Sequence, residues 1–310
     1  MLRVLVREPI AEPGLELLRS RFEVVEDGES ELGEVIGDYD AIVVRSQTTL
    51  DAPLIARATR LKVIGRAGVG LDNVDVDAAT RRGIVVANAA ESTVDSAAEH
   101  AIALLLALAR NVPQAHAALT AGTWDRARFT GIELAGKTLG VLGLGRIGRL
   151  VARRALGLGM RVVAFDPFVA AERFRELGVE AAAALDDVFA EADVLTLHLP
   201  LNSETHGVLG SAAFARMKDG VRIVNAARGE LVDEDALVDA LRSGHLRHAG
   251  LDVFAVEPLP QGHPLTLLPN VTLSAHSAFR TPEASENLLQ AALAHCRAIA
   301  MRAADSPAAG

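Results

Sequence analysis

An apolar run that stops at closely spaced glycines leaves a chain few ways to continue. Thr138-Leu-Gly-Val-Leu-Gly-Leu-Gly-Arg-Ile-Gly-Arg149 is such a stretch, and a helix-compatible run, Arg149 to Leu158, follows it. Within it Gly143-Leu144-Gly145-Arg146-Ile147-Gly148 spells G-x-G-x-x-G. Gly143 permits a tight strand-to-helix turn, and Gly145 lets a pyrophosphate approach the backbone without meeting a Cβ. Gly148 lets the helix pack closely on the strand, while the free amides of the helix N-terminus point at the anion. A bare glycine turn would carry the same letters, so the surroundings decide. A second apolar run, Arg161-Val-Val-Ala-Phe165, ends at Asp166, about twenty residues on, where an acid can hold a ribose diol. The stretch therefore predicts a dinucleotide site.

The rest of the chain is consistent with that centre. Short runs rich in Val and Ile at 2–6, 23–26, 40–45, 61–65 and 84–87 alternate with helix-compatible segments such as Pro13–Arg21, Pro53–Arg60 and Val74–Arg82. Such alternation predicts a parallel sheet with right-handed crossovers. Ser92-Thr-Val-Asp-Ser-Ala-Ala-Glu99 then reads as a helix start, with hydroxyl or carboxylate caps and early acids, running to Arg110. From Lys137 the alternation resumes, with strands near 138–142, 161–165, 194–198, 222–226, 248–253 and 271–275. A helix over Pro282–Arg302 is long enough to return to the first unit, and the tail 303–310 reads as frayed. A cofactor unit inserted into a discontinuous outer unit is the organisation this predicts.

Composition excludes some partners. The formal net charge of −9 and the lack of a basic stripe argue against nucleic acid. The longest apolar run, 101–109, lies between His100 and Arg110 and is far short of the twenty or so residues a bilayer needs, so no membrane is expected. It reads as a buried or subunit-contacting helix. The lone cysteine, Cys296, cannot form an intramolecular disulfide, and the chain opens on strand-like Leu2-Arg-Val-Leu-Val6 with no signal peptide; a cytoplasmic location is the expectation.

Three polar residues fall at or just past predicted strand ends, the edge where open parallel sheets bind ligands. Arg228, in Ile223-Val-Asn-Ala-Ala-Arg-Gly229, could fork onto a carboxylate; in isolation it suits a surface ion pair better. Glu257 precedes Pro258 and alone would pass for a solvated turn acid, and His276 alone for a structural histidine. Together they make a coherent set. An imidazole donates a proton to a carbonyl oxygen that receives hydride, a carboxylate bonded to it favours the imidazolium, and arginine anchors the substrate acid.

The chain resembles the D-isomer-specific 2-hydroxyacid dehydrogenases over nearly all of residues 1–300. The resemblance is carried by Val44-Arg-Ser46, Gly65-Arg-Ala-Gly-Val-Gly-Leu-Asp-Asn-Val-Asp75, Ser96-Ala-Ala-Glu99, Gly136 through Gly148, Asn225-Ala-Ala-Arg-Gly229, Leu251-Asp-Val-Phe254 and Glu257-Pro258. It implies an α/β fold: a doubly wound parallel-sheet (Rossmann) cofactor domain, residues 96–280, inserted into a smaller flavodoxin-like α/β substrate domain, residues 1–95 plus 281–310. By position it implies Arg228 as binder of carboxylate and carbonyl, His276 as acid/base and Glu257 as its orienting partner. Arg146 and Ile147 would lie along the pyrophosphate, Asp166 at the ribose, Leu199 and Pro200 at the adenine, Asp252 at the nicotinamide amide and Thr93 against the cofactor. Gly68, Val69 and Gly70 would grip the substrate carboxylate through backbone amides. Arg45, Arg66 and Arg126 match basic positions that face the phosphate in members acting on phosphorylated acids, Arg126 across a dimer interface. A homodimer is the implied assembly, no metal is called for, and a chain ending at Gly310 predicts no C-terminal regulatory domain.

Departures bear on substrate rather than chemistry. His276-Ser-Ala-Phe-Arg280 places Phe279 and Arg280 where phosphoglycerate-type members have small residues, Val69 replaces a common threonine and Ala226 a common cysteine. Asp166, with no arginine adjacent to it in Pro167-Phe168, favours NAD over NADP. The leading expectation is oxidation of a phosphorylated D-2-hydroxy acid to its 2-keto acid. Alternatives are a glyoxylate or hydroxypyruvate reductase, a non-catalytic NAD-sensing protein, and a formate dehydrogenase, which would call for an amide in place of Glu257.

Overall fold

The computed structural model describes residues 2–10, 12–45, 47–68, 70–89, 92–284 and 286–287. The chain divides into two compact units, one of Met1–Val94 with the segment from Arg280 onward, the other of Asp95–Phe279. Each is built on its own parallel sheet.

In the first unit the strands are β1 (Arg3–Val6), β2 (Glu23–Glu26), β3 (Ala41–Val44), β4 (Val63–Arg66) and β5 (Val85–Asn88), with α1 (Glu12–Arg19), α2 (Leu32–Val35), α3 (Ala52–Arg57) and α4 (Val76–Arg81) between them. Their order, β2-β1-β3-β4-β5, is the flavodoxin-like one. Alternation along each strand sends side chains to opposite faces. Leu5, Ile42, Val44 and Ile64 enter one core with Ile55 of α3 and Ala78 and Ala79 of α4. Val4, Val6 and Val43 enter another with Leu15 and Leu18 of α1. Both faces being covered, the strands read as continuous apolar runs. Asp51 and Asp75 accept from Leu54 N and Ala78 N at 2.9 and 2.8 Å and so fix where α3 and α4 begin.

The second unit follows α5 (Val94–Arg110) and α6 (Val112–Thr120) with β6 (Thr138–Leu142), α7 (Arg146–Gly157), β7 (Arg161–Phe165), α8 (Ala171–Leu177), β8 (Glu180–Ala181), α9 (Leu185–Glu191), β9 (Val194–Leu197), α10 (Ser211–Phe214), β10 (Val221–Asn225), α11 (Glu234–Ser243), β11 (Leu246–Leu251), α12 (Pro264–Leu267) and β12 (Val271–Leu273). The sheet runs β12-β11-β10-β9-β6-β7-β8 and every pairing is parallel. Counted from β6, this is the doubly wound dinucleotide-binding order with one strand added at the β12 edge. The chain leaves β6 in one direction and returns to its other side at β9, which makes the carboxyl ends of β6 and β9 the ligand-binding switch point.

The apolar stretch 101–109 belongs to α5, whose Ala98, Ala101, Leu104, Leu105 and Leu108 pack with Leu139 and Val141 of β6. Its inward face is core. Among the described residues no single helix is long and apolar enough to cross a membrane; α5 and α6 qualify only as a pair bent by 63°. Two elements were not foreseen. The strand β8 is two exposed residues with no apolar pattern, and α6 starts anew where Asn111 takes a left-handed conformation, φ 54°, two residues before Pro113. Most of the helix expected over Pro282–Arg302, Cys296 and the tail lie outside the described residues.

Candidate active site

The glycine turn sits at that switch point. Gly143 has φ +89°, and a Cβ there would lie 2.6 Å from the carbonyl oxygen of His198 at the end of β9. At Gly148 a Cβ would lie 2.0 Å from the Gly143 carbonyl oxygen, a backbone atom that cannot swing aside. Neither position admits a side chain. Gly145 has open space on its Cβ side, the room an approaching phosphate requires. Asp166, after β7, accepts from Leu144 N at 2.8 Å and from Phe168 N at 3.0 Å, so it braces the turn while each oxygen keeps a lone pair for a diol. Arg146 is exposed at the first turn of α7, Ile147 is half-buried behind it, and Leu199 reaches within 3.2 Å of the Cβ position of Gly143. Pro200 is exposed beside it and accepts from Thr205 Oγ1 at 2.6 Å.

Past the other strand ends, the structure brings His276 and Glu257 together. His276 Nδ1 and Glu257 Oε2 are 2.7 Å apart, and Glu257 Oε1 accepts from Phe254 N at 3.0 Å. Burial pushes the Glu257 carboxyl up, but bonds from His276 and Phe254 outweigh it and leave it below the usual carboxylate range. An ionised carboxylate only accepts, so Nδ1 carries its hydrogen and Nε2 is the nitrogen left to meet a ligand. Phe279 stands edge-on to the imidazole, centroids 5.4 Å apart and planes at 79°, which restrains the ring. The Glu257–Pro258 peptide is cis.

Arg228 follows β10 in a turn shaped by Asn225, which is buried; its Nδ2 donates to Arg228 O at 2.8 Å and its Oδ1 accepts from Ala227 N at 3.0 Å. The Arg228 guanidinium folds back to Ala227 O at 2.6 Å. Next to it a Cβ on Gly229 would fall 1.9 Å from the carbonyl carbon of Phe254, so the arginine turn lies directly on the loop that carries Glu257.

Asp252 is wholly buried at the end of β11. Its Oδ1 accepts from Ser274 Oγ at 2.6 Å, Ser277 N at 2.9 Å and Ser277 Oγ at 3.2 Å, with His100 Nε2 at 3.3 Å; its Oδ2 accepts from Ala278 N at 2.9 Å. Its carbonyl accepts from His276 N at 2.7 Å. Burial pushes this carboxyl up, yet the bonds from His100, Ser274, Ser277 and Ala278 dominate and hold it at about 2. These contacts enclose a turn in which His276 has φ +46°, a left-handed conformation that costs a non-glycine residue roughly 1–2 kcal/mol. Asp252 thus shapes the histidine turn. Among the described residues Oδ2 receives one donor, Ala278 N.

The other anticipated residues lie elsewhere. Arg45, Arg66, Gly68, Gly70 and buried Thr93 belong to the first unit, and Val69 lies outside the described residues. Arg45 Nη1 donates to Pro9 O at 3.3 Å, and its loop is pinned by buried Glu8, which accepts from Arg45 N, Gln47 N and Thr48 N at 2.9, 3.2 and 3.0 Å. Gly68 N donates to Arg66 O at 2.9 Å, so that amide is already engaged. Arg126 is exposed in the loop after α6 of the second unit. Sequence reasoning passed over Glu8, His100, Asn225 and Ser274, whose partners are distant in the chain or, for Asn225, its own following turn. It also passed over His198, whose ring, 3.0 Å from Thr196 Oγ1, burial pushes down to about 4.

The fold and this site define a dinucleotide-binding α/β protein with an imidazole–carboxylate pair at the sheet edge. Residues 102–278 match the family described as D-isomer specific 2-hydroxyacid dehydrogenase, NAD binding domain, and the chain belongs to that family. It is 50% identical over 291 residues to a D-3-phosphoglycerate dehydrogenase of Archaeoglobus fulgidus, a match covering 93% of this chain and 55% of that protein. The chain spans about half the length of the curated relatives it matches. Solved structures resemble it over most of their length. A glyoxylate reductase from Paecilomyes thermophila shares 34% identity with TM-score 0.89, covering 96% of this chain and 94% of its own. A D-lactate dehydrogenase from Aquifex aeolicus, complexed with NAD and lactic acid, shares 28% with TM-score 0.87, covering 96% and 95%.

Proposed function

We propose that the protein is an NAD-dependent D-2-hydroxyacid dehydrogenase that interconverts D-3-phosphoglycerate and 3-phosphohydroxypyruvate, the first oxidative step toward serine. The observation that carries the reaction class is the 2.7 Å His276–Glu257 pair, set in the same unit as a glycine turn that fits a pyrophosphate. The substrate rests on the 50% identity to D-3-phosphoglycerate dehydrogenases and on Arg45, Arg66 and Arg126, basic positions that by the family resemblance would meet a phosphate.

In this reading residues 96–280 hold the cofactor and residues 1–95 with 281–310 take the substrate. Gly143, Gly145, Arg146, Ile147 and Gly148 receive the pyrophosphate, Asp166 the adenosine ribose, Leu199 and Pro200 the adenine, with Thr93 and Asp252 Oδ2 at the nicotinamide end. A nicotinamide cofactor held by these residues would supply a hydride, for which C2 of the keto acid is the acceptor. Arg228 neutralises the substrate carboxylate and polarises the carbonyl, and His276 Nε2 gives the new hydroxyl its proton. Glu257 keeps Nδ1 protonated and balances the imidazolium. In the Gly68–Val69–Gly70 segment the Gly68 amide is bonded to Arg66 O, so the amides after it would complete the carboxylate grip. Hydride and proton together make the two-electron reduction, and each step reverses in oxidation.

The test is NADH oxidation at 340 nm with 3-phosphohydroxypyruvate, hydroxypyruvate, glyoxylate and a branched 2-keto acid, repeated with NADPH. Preference for the phosphorylated acid and NADH is expected. Preference for glyoxylate would favour the second reading, a glyoxylate reductase, which the match covering 94% of the Paecilomyes thermophila enzyme supports. NADH binding without turnover of any acid would leave a sensing protein. Arg228→Ala is expected to raise KM for the keto acid and lower kcat, on the order of a hundredfold or more in kcat/KM, as for the loss of a charged bond made at the reacting group; an unchanged KM would remove Arg228 from substrate binding. The proposed assembly is a homodimer, supported by exposed Val112, Leu119 and Trp124 in one short segment after α5. Sedimentation as a 32.6 kDa species would overturn it.

A further inference from the structure

His100 lies on α5, far in sequence from the histidine turn, yet its Nε2 is 2.9 Å from Ser274 Oγ and 3.3 Å from Asp252 Oδ1. We propose that His100 is a positioning residue for the proton donor, acting through Ser274 and Asp252 to hold the turn that presents His276.

The chain of contacts is continuous. Because Asp252 is ionised, its oxygens only accept, so the Ser274 hydroxyl donates to Oδ1 and presents its lone pairs to His100. The His100 Nε2–H fits between the two acceptors, fixing the hydroxyl and adding a donor to this buried carboxylate. Asp252 in turn receives Ser277 N and Ala278 N, the two amides immediately after His276, while its carbonyl receives the amide of His276 itself. Bonds in series polarise one another, and a buried carboxylate with fewer donors relaxes toward any others within reach. The far end of the series is firm. On α5, Ala98, Ala101 and Leu104 around His100 are buried in the core against β6, so the imidazole is carried by a helix packed into that core. His276 needs such support because its left-handed backbone is not one it adopts unaided.

This inference rests on the keto acid reductase reading for its kinetic arm and is independent of it for its structural arm. His100→Ala, His100→Gln and Ser274→Ala are compared with wild type by steady-state kinetics, by NADH titration and by the Cε1–H resonance of His276, assigned with His276→Ala. Glutamine places an N–H donor close to the position of Nε2. Expected are a kcat lowered about tenfold in His100→Ala, the worth of one charge-assisted bond, KM and NADH Kd within about twofold, a displaced His276 resonance, and return of both readouts in His100→Gln. The His100→Ala and Ser274→Ala effects on kcat should be less than additive, since both cut one series. An unmoved His276 resonance and unchanged kcat in His100→Ala would overturn the proposal. So would a loss confined to NADH affinity, which would place His100 behind the cofactor contact alone. If wild type reduces no 2-keto acid, the functional reading fails while the resonance still decides: displacement in alanine with return in glutamine supports the positioning role, and no displacement ends it.

Discussion

His276→Ala is expected to lower kcat for keto acid reduction by roughly a thousandfold, within the 10²–10⁴ range for loss of a positioned proton donor. NADH affinity should stay within about twofold, because the glycine turn and Asp166 are built from β6, α7 and β7 and do not depend on the β12 turn. Single-turnover absorbance at 340 nm and NADH fluorescence titration separate the two quantities. Turnover within tenfold of wild type would remove His276 from the acid role. Glu257→Gln should cost less than His276→Ala, since the amide can still accept from Nδ1–H but no longer balances an imidazolium.

Asp252→Ala has the largest expected effect on stability. It leaves Ser274, Ser277 and Ala278 donors and His100 without their buried acceptor, which costs roughly 3 kcal/mol or more in chemical denaturation at neutral pH. The pH dependence has a definite sign. The carboxyl is depressed from 3.8 to about 2, so the folded state binds the proton less tightly than the unfolded chain. Its stabilisation is therefore fully present above pH 3.8 and is lost as pH falls through about 2. The amount is about 2 kcal/mol. The gap between wild type and Asp252→Ala should narrow by that amount across this window; a gap independent of pH would show that the carboxylate charge is not what the site stabilises.

Much of the fold was legible because its signals are local. Leu- and Val-rich strands and the 143–148 glycines each declare themselves within a few residues, whereas the Asp51 and Asp75 caps were not read from the sequence. His276 and Glu257 were ambiguous one by one and gained meaning only as a set and through the family resemblance; the structure places them 2.7 Å apart. What stayed hidden has its cause outside the local window. The strand β8 is only Glu180–Ala181, placed by pairing with β7 and not by its own pattern. Asp252 was expected at the nicotinamide amide, and its larger structural part, closing the His276 turn, depends on donors from β12 and α5 that no spacing rule connects. His100 and Ser274 are separated by 174 positions. Glu8 likewise reads as an ordinary acid after β1 until the loop beyond β3 folds over it.

The left-handed backbone at His276 bears on how this protein could be improved. Glycine occupies that region without the penalty a side chain meets, and asparagine tolerates it better than most residues. A selection for heat resistance alone would therefore be drawn to position 276 and would find its gain in chains that had lost the imidazole paired with Glu257. With the proposed role of His276, robustness and turnover would compete there for one residue, so any screen that rewards the first must also read the second.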